Sequence, residues 1–320
     1  MSEPRSSRSS PGRSGPARRE PPADYTAARS ERAHRRRALA VLAVEGADRA
    51  AFLQGQLTQD VDRLAVGESL PAAGLTPKGK LLYFGRIRNA GDRFLLLIPL
   101  AARAAVAAHL GKYAVFQRVV VRDVTEEHGV LGLYGPDAAK PSPPEACVGL
   151  PPEGEFSAEV LGPAERIDLW SEELSRAGSP AVSAATAEIL RVEAGRPRLG
   201  QDADETNLPQ EVNLSEAISL TKGCYVGQEV VARLRTYGRL NRRLVGFRFP
   251  GHPVAKGAVF PNPDKPDHEW ARVTSAVDSP KFGPIGLGLA FREIPEGETL
   301  SDPSDPERIA IVSRLPFAVA

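Results

Sequence analysis

Large apolar side chains are almost missing from residues 1–37, a stretch rich in Pro, Ser, Arg and Ala. Such a segment buries too little surface to offset its ordering entropy, so a disordered tail is expected, with the folded chain starting near Ala38. Beyond it, short apolar runs bounded by turn residues predict strands over 39–44, 70–75, 81–88, 94–98, 119–124, 130–134 and 166–170. The run 70–88 reads as a hairpin whose turn is Pro77-Lys78-Gly79-Lys80. Helical spacing predicts a short helix around Phe52-Leu53, a second helical turn over 56–61, and helices over 101–110, 171–177 and 185–194. The last of these has Ser183 as its N-cap and Gly195 just past its end. Residues 135–165 are dominated by Pro, Gly and Glu and are read as a loop or insertion holding Cys147. From Leu240 onward, short strands with turn signals every eight to twelve residues predict a small antiparallel barrel or sandwich. The pattern therefore divides the chain into a tail (1–37), an α+β region (38–239) and a C-terminal β domain (240–320).

Charge changes this picture at one end. The net charge of the 320-residue chain is +1, but residues 1–37 hold ten arginines against four acids, about +6, which leaves the rest near −5. A basic tail on a mildly acidic body reads first as a solvated extension, and it can also touch anionic lipid or nucleic acid, including weak contact with tRNA. No apolar run approaches the roughly 18 residues of a membrane span. The two cysteines, Cys147 and Cys224, are far apart and form no CxxC pair. A disulfide framework and a cysteine metal site are therefore not expected, and a reducing cytoplasm is the expected setting. The five histidines show no ligand spacing, and phosphate-loop, dinucleotide, zincin and hydrolase motifs are absent.

The strongest candidate chemistry is Lys222-Gly223-Cys224-Tyr225-Val226-Gly227-Gln228-Glu229, followed at once by the apolar-periodic Val230, Val231 and Leu234 and stopped by Gly238. A thiol ahead of a helix N-terminus faces the positive end of the helix dipole, and Lys222 lies two residues away, so Cys224 and Lys222 are candidate catalytic residues. Cys224 is open to roles as nucleophile, redox thiol or cluster ligand, and a tight turn with a small buried side chain accounts for the same residues. Arg191, Glu193, Asp202, Asp204, Glu205 and Glu211 surround a helix end. A buried carboxylate there can accept two N–H bonds from a flat heterocycle such as a pterin. Arg233, Arg235, Arg239, Arg242 and Arg243 form either an exposed basic rim or a grip on a ligand's carboxylates or phosphates.

These blocks resemble the YgfZ-type folate-binding proteins, relatives of the aminomethyltransferase (T-protein) of the glycine cleavage system. The Cys224 stretch carries the likeness together with residues 52–61, the hairpin turn 76–80, the block 191–211, residues 273–283 and Leu315-Pro316-Phe317. The resemblance implies a T-protein-like α+β fold around a central channel for tetrahydrofolate or a derivative, ending in a small β-barrel. It implies a factor supporting assembly or repair of iron–sulfur clusters in client enzymes, including those that modify tRNA. Glu193 would correspond to the pterin-binding glutamate, with Tyr225, Gln228 and Arg233 as further folate contacts and Cys224 at the channel mouth. T-proteins carry paired aspartates after the hairpin glycine, where this chain has Tyr83 and Phe84. A transferase lacking that carboxylate loses the charge that orients the folate amine, which favours the cluster-factor branch over an aminomethyltransferase or a tRNA-binding scaffold. One thiolate is too few ligands for a stable cluster, so no resident metal is expected.

Overall fold

The computed structural model describes residues 20–236, 238, 240–251 and 254–318, with only the backbone of Arg235 and Thr236. The first nineteen residues of the basic tail, and Arg239 of the basic rim, lie outside the described residues. The rest of the expected tail is built into the fold. Helix α1 (Ala23–Ser30) and strand β1 (Ala33–Arg36) precede Ala38, so the expected start is corrected. Few apolar groups are needed there. Tyr25, Ala28 and Ala33 are buried, and polar bonds do the remaining anchoring: Asp24 accepts from the Ser183 N–H at 2.8 Å and the Thr186 hydroxyl at 2.9 Å.

Strand β2 (Leu39–Glu45), helix α2 (Arg49–Gln56), strands β3 (Ser69–Leu75), β4 (Leu81–Asn89) and β5 (Phe94–Pro99), helix α3 (Arg103–Ala114) and strand β6 (Val120–Asp123) form the first half of the body. Their five strands pair antiparallel in the order β3-β4-β5-β2-β6. The two-residue period of a strand sends alternate side chains to opposite faces. In β2, Ala40, Leu42 and Val44 join the core under α2 and α3, while Val41 and Ala43 join the core on the other face. In β5, Phe94, Leu96 and Ile98 divide from Leu95 and Leu97 in the same way. Both strands are buried on two sides, which is why they read as continuous apolar runs. The helical turn expected over 56–61 is not formed; Leu57 instead makes a bridge to Gly74 of β3.

Strands β7 (His128–Tyr134), β8 (Val148–Leu150) and β9 (Ala158–Pro163) complete a second sheet, ordered β1-β7-β9-β8. Residues 135–165 are thus not a structureless insertion. Helix α4 (Ala164–Arg176) replaces the strand expected at 166–170: Ile167, Trp170 and Leu174 recur at helical spacing and pack on the sheet. The local β preference of Ile and Trp gave way to that stripe. Helix α5 (Ala184–Glu193) matches its expectation, with the Ser183 hydroxyl accepting from the Thr186 N–H and Gly195 at φ 69°. Helix α6 is Gln228–Thr236.

Strands β10 (Arg242–Arg248), β11 (Val259–Asn262), β12 (Lys265–Ser279), β13 (Gly283–Phe291), β14 (Thr299–Asp302) and β15 (Asp305–Ser313) form a six-stranded antiparallel sheet, ordered β11-β12-β13-β10-β15-β14. Its edge strands β11 and β14 approach each other without a shared hydrogen-bond ladder, so the barrel expected here is a rolled sheet that does not close. It wraps an apolar core that includes Phe247, Phe249 and Phe260. Helix α5 is fixed to this sheet by a buried polar network. Arg191 donates to Asp202 and to Ser275, and Asp202 accepts from Thr274 and Ser275.

Candidate functional site

A cavity of about 510 Å3 opens where β1, the β2–β5 edge, the β8–β9 loop and α5 meet. That lies within the range of about 300–1,000 Å3 usual for small-molecule sites. Its apolar walls include Leu39, Phe84, Phe156 and Leu214. Five arginines face it, Arg35, Arg37, Arg191, Arg196 and Arg198, against Glu153, Glu155 and Glu188. Most of these charges are already matched. Arg191 pairs with Glu188 at 2.7 Å and Arg196 with Glu216 at 2.9 Å, while Arg198 pairs with Glu188.

Behind the wall, Glu159 of β9 is 1% exposed and paired with Arg37, with Arg86 at 3.7 Å. Burial raises its carboxyl above the usual range, and the Arg37 guanidinium opposes that shift. Glu153 sits among three guanidiniums: burial works to raise its pKa, and Arg37, Arg86 and Arg196 together hold it below the ordinary value.

Two groups on the wall lack a close side-chain partner, although Arg37, Arg191 and Arg196 act on the second, Glu155, from a distance. Tyr134, 1% exposed, carries a hydroxyl with no hydrogen-bond partner, and burial raises its pKa. The Glu155 carboxylate forms no ion pair among the described residues, and burial raises it too. A buried hydroxyl without a partner is costly, at about 1–3 kcal/mol, unless a ligand or water satisfies it. The Phe156 ring lies 4.8 Å from that of Tyr134, and the Arg37 guanidinium stands over it at 4.8 Å. A flat, donor-rich heterocycle fits this wall: aromatic faces to lie on, one carboxylate for its N–H groups and one hydroxyl for a ring oxygen or nitrogen. The composition of 135–165 hid this, because Glu153, Glu155 and Phe156 came from a stretch read as an insertion. The sole sequence signal was that spaced run of carboxylates.

The expected site residues lie elsewhere. Glu193 is buried at the end of α5 but does not line the cavity; the Tyr25 hydroxyl donates to it at 2.7 Å, the Ser279 hydroxyl donates at 2.5 Å, and Arg29 pairs with it. These contacts tie α1 and β12 to the end of α5, and among the described residues its buried Oε2 meets only the Arg29 guanidinium. Tyr225 is buried in the core that joins β3, β4 and the six-stranded sheet, and its N–H donates to the Gln228 side chain at 3.3 Å. Arg233 pairs with Glu229 at 2.6 Å on the exposed side of α6. None of the residues 219–230 lines this cavity.

The Cys224 turn is instead fixed against the first sheet. Lys222 is 8% exposed, and its ammonium donates to the carbonyls of Gln54, Leu57 and Gln59 at 2.6, 2.7 and 2.8 Å. All three of its protons are engaged there, and it fastens the turn. Burial lowers its pKa from 10.5 to about 8. The Val226 N–H donates to the Gly55 carbonyl at 3.1 Å. Gly227, at φ 82°, packs on the hairpin turn: a Cβ there would fall 2.5 Å from the Thr76 carbonyl oxygen and 3.1 Å from the Gly79 Cα. A Cβ on Gly79 would meet Val230 at 2.8 Å. Two glycines thus permit one interlock between the Cys224 turn and the 76–80 turn, with Cys224 left exposed on its outside. Among the described residues no group of three or more His, Cys, Asp or Glu could hold a metal ion. No helix among them is long and apolar enough to cross a membrane.

Two antiparallel sheets that meet at a cavity, followed by a rolled six-stranded sheet, give the fold of an aminomethyltransferase. The glycine cleavage system aminomethyltransferase T of Bartonella henselae superposes with a TM-score of 0.79 at 23% identity, covering 92% of this chain and 88% of that one. No protein-family model matches the chain. At the level of sequence it is 32% identical over 276 residues to an aminomethyltransferase of Rubrobacter xylanophilus, covering 78% of this chain and 73% of that protein. It is 32% identical over 227 residues to the tRNA-modifying protein YgfZ of Shigella sonnei, covering 64% of this chain and 68% of that protein. The YgfZ of Cronobacter sakazakii is 30% identical over 246 residues, covering 70% and 71%. The chain belongs to the YgfZ-type proteins of the aminomethyltransferase superfamily.

Proposed function

We propose that this protein is a folate-binding factor that supports assembly or repair of iron–sulfur clusters in client enzymes, tRNA-modifying enzymes among them, in the cytoplasm. The carrying observation is the cavity wall on which the buried Tyr134 hydroxyl has no hydrogen-bond partner and the Glu155 carboxylate forms no close ion pair among the described residues. Tetrahydrofolate or a derivative is the ligand this reading places there. Glu155 would accept from the adjacent N–H groups of the pterin, Tyr134 would bond a ring heteroatom, and Phe84 and Phe156 would line its faces. Arg196 and Arg198 would hold the carboxylates of the folate's glutamate by exchanging their present partners, Glu216 and Glu188, for them. When bound, the folate supplies a one-carbon carrier or a reductant. The chain's own contribution is to hold it and to exclude water from its pterin.

Cys224 is the group this reading assigns to the client. It is exposed on a turn clamped by Lys222 and Gly227, so it can meet iron or sulfur presented by another protein. A lone thiolate requires the client to supply the remaining ligands. The aminomethyltransferase alternative has weaker support. Strand β4 turns Phe84 to the cavity and buries Tyr83 in the core, so the strand brings no carboxylate to the site.

Calorimetric titration of tetrahydrofolate into the full chain tests the reading. Saturable binding is expected, with Tyr134→Phe and Glu155→Gln each weakening it by about tenfold, as for loss of one buried hydrogen bond. Unchanged affinity in both variants, or no binding by the wild type, would refute the assignment.

A further inference from the structure

A second concavity, of about 480 Å3, lies beside α6 and away from the folate cavity. Its floor is aliphatic, with Ile218, Val231, Leu234 and Leu240. Leu220, on its margin, is 61% exposed. Three guanidiniums edge it, those of Arg242, Arg243 and Arg292. None of them forms an ion pair among the described residues; Arg243 donates only to the Ile294 carbonyl, at 2.9 Å. No carboxylate lines the groove among the described residues. Elsewhere on this protein arginines are mostly matched, as around the folate cavity and in the Arg233–Glu229 pair on the opposite side of α6. The Gln210 side-chain oxygen also faces the groove, buried and without a hydrogen-bond partner. Leu220 and Val231 bracket the Cys224 turn, so the exposed thiol is carried on the loop that leaves and re-enters the groove wall.

We infer that this groove docks an acidic, leucine-rich peptide segment of a partner protein. Aliphatic side chains of the segment fill the floor, its carboxylates meet the three arginines, and a backbone N–H satisfies Gln210. Charge selects this occupant. The chain's own first nineteen residues carry five arginines and one acid, so they are repelled. A nucleic acid would use the arginines but leave the aliphatic floor idle, since the described groove residues include no aromatic ring on which a base could stack. The inference rests on the proposed function only in taking the partner to be the client that Cys224 meets.

Fluorescence anisotropy of a labelled peptide of alternating glutamate and leucine pairs, titrated with the full chain, tests the inference. Binding is expected, weaker for the same peptide with glutamine in place of glutamate. Arg242→Glu combined with Arg292→Glu should weaken binding by at least about tenfold, since two desolvated charge contacts become repulsive. Leu220→Asp, at an exposed position, should weaken it as well. Absent peptide binding, equal binding of the glutamine peptide, unaltered binding by the double variant, or preference for single-stranded RNA over the peptide would each overturn the inference. Tetrahydrofolate titration of the same double variant separates the two readings. Peptide binding lost with folate binding intact supports the groove; a wild type that binds the peptide but no folate leaves the groove standing and removes the folate site.

Discussion

Lys222 shows how a residue beside a thiol can be structural. The sequence placed an ammonium two positions from Cys224, where it would stabilise a thiolate. The fold turns that ammonium inward onto three carbonyls of the α2–β3 connection. Lys222→Met leaves those acceptors without donors and should lower stability by about 2–4 kcal/mol, measured by urea denaturation. The pH dependence has a definite sign. Burial brings the folded pKa to about 8 from 10.5. Between those values the unfolded chain holds the proton and the folded chain releases it, so the lysine's contribution to stability rises with pH across this window and is flat below it. Wild type should therefore gain on the methionine variant by about 1–3 kcal/mol between pH 7 and pH 10. A gap that narrows over that range would mean that the three carbonyls outweigh burial. The Arg37–Glu159 pair is a second test at this scale. Arg37→Met strands a carboxylate that is 1% exposed and should cost about 3–5 kcal/mol at neutral pH, with the double variant Arg37→Met, Glu159→Gln recovering most of it. Equal stability of the single and double variants would refute that coupling.

At the scale of elements, α1 has the largest consequence for its size. Its eight residues make a weak helix by themselves. The Asp24 carboxylate bonds the Ser183 N–H and the Thr186 hydroxyl at the start of α5, and Tyr25 and Arg29 reach Glu193 at its end. One short helix therefore brackets the helix that carries Glu188 and Arg191 to the cavity. Asp24→Ala should destabilise by about 1 kcal/mol, as for loss of a helix cap, and raise amide exchange over residues 184–188. Exchange unchanged there would show that Ser183 alone caps α5. This coupling was illegible because its apolar content is two side chains; the ties are polar, specific in three dimensions and without period in sequence. The interlock of Gly227 with Thr76–Gly79 is of the same kind. Both glycine motifs stood out separately in the sequence, but only the fold shows them as one contact.

At the scale of the molecule, the exposed Cys224 thiol lies outside the set of residues that line the cavity. Cys224→Ala should leave tetrahydrofolate affinity and thermal stability at wild-type values, because the side chain is exposed and touches no cavity residue. It should abolish rescue of cluster-enzyme activity in a strain lacking its own factor. Full rescue by Cys224→Ala would remove the thiol from the mechanism, and a parallel loss of folate affinity would show that thiol and cavity act as one site.

The sequence by itself determined most strands of the first sheet, the caps of α5, the hairpin with its glycine turn, the C-terminal strand spacing and a turn at Cys224 ahead of a helix. Each of these depends on neighbours in the chain, on side-chain period or on a backbone angle that few residues adopt. Tertiary structure alone decided which carboxylates face the cavity. Glu193, Glu155 and Glu159 are alike as sequence. Glu193 was taken up by Tyr25, Ser279 and Arg29, Glu159 was paired with Arg37 behind the wall, and Glu155 was left open. Availability for a ligand is what remains after distant partners have been satisfied, and those partners are set by packing between segments that the linear chain holds far apart.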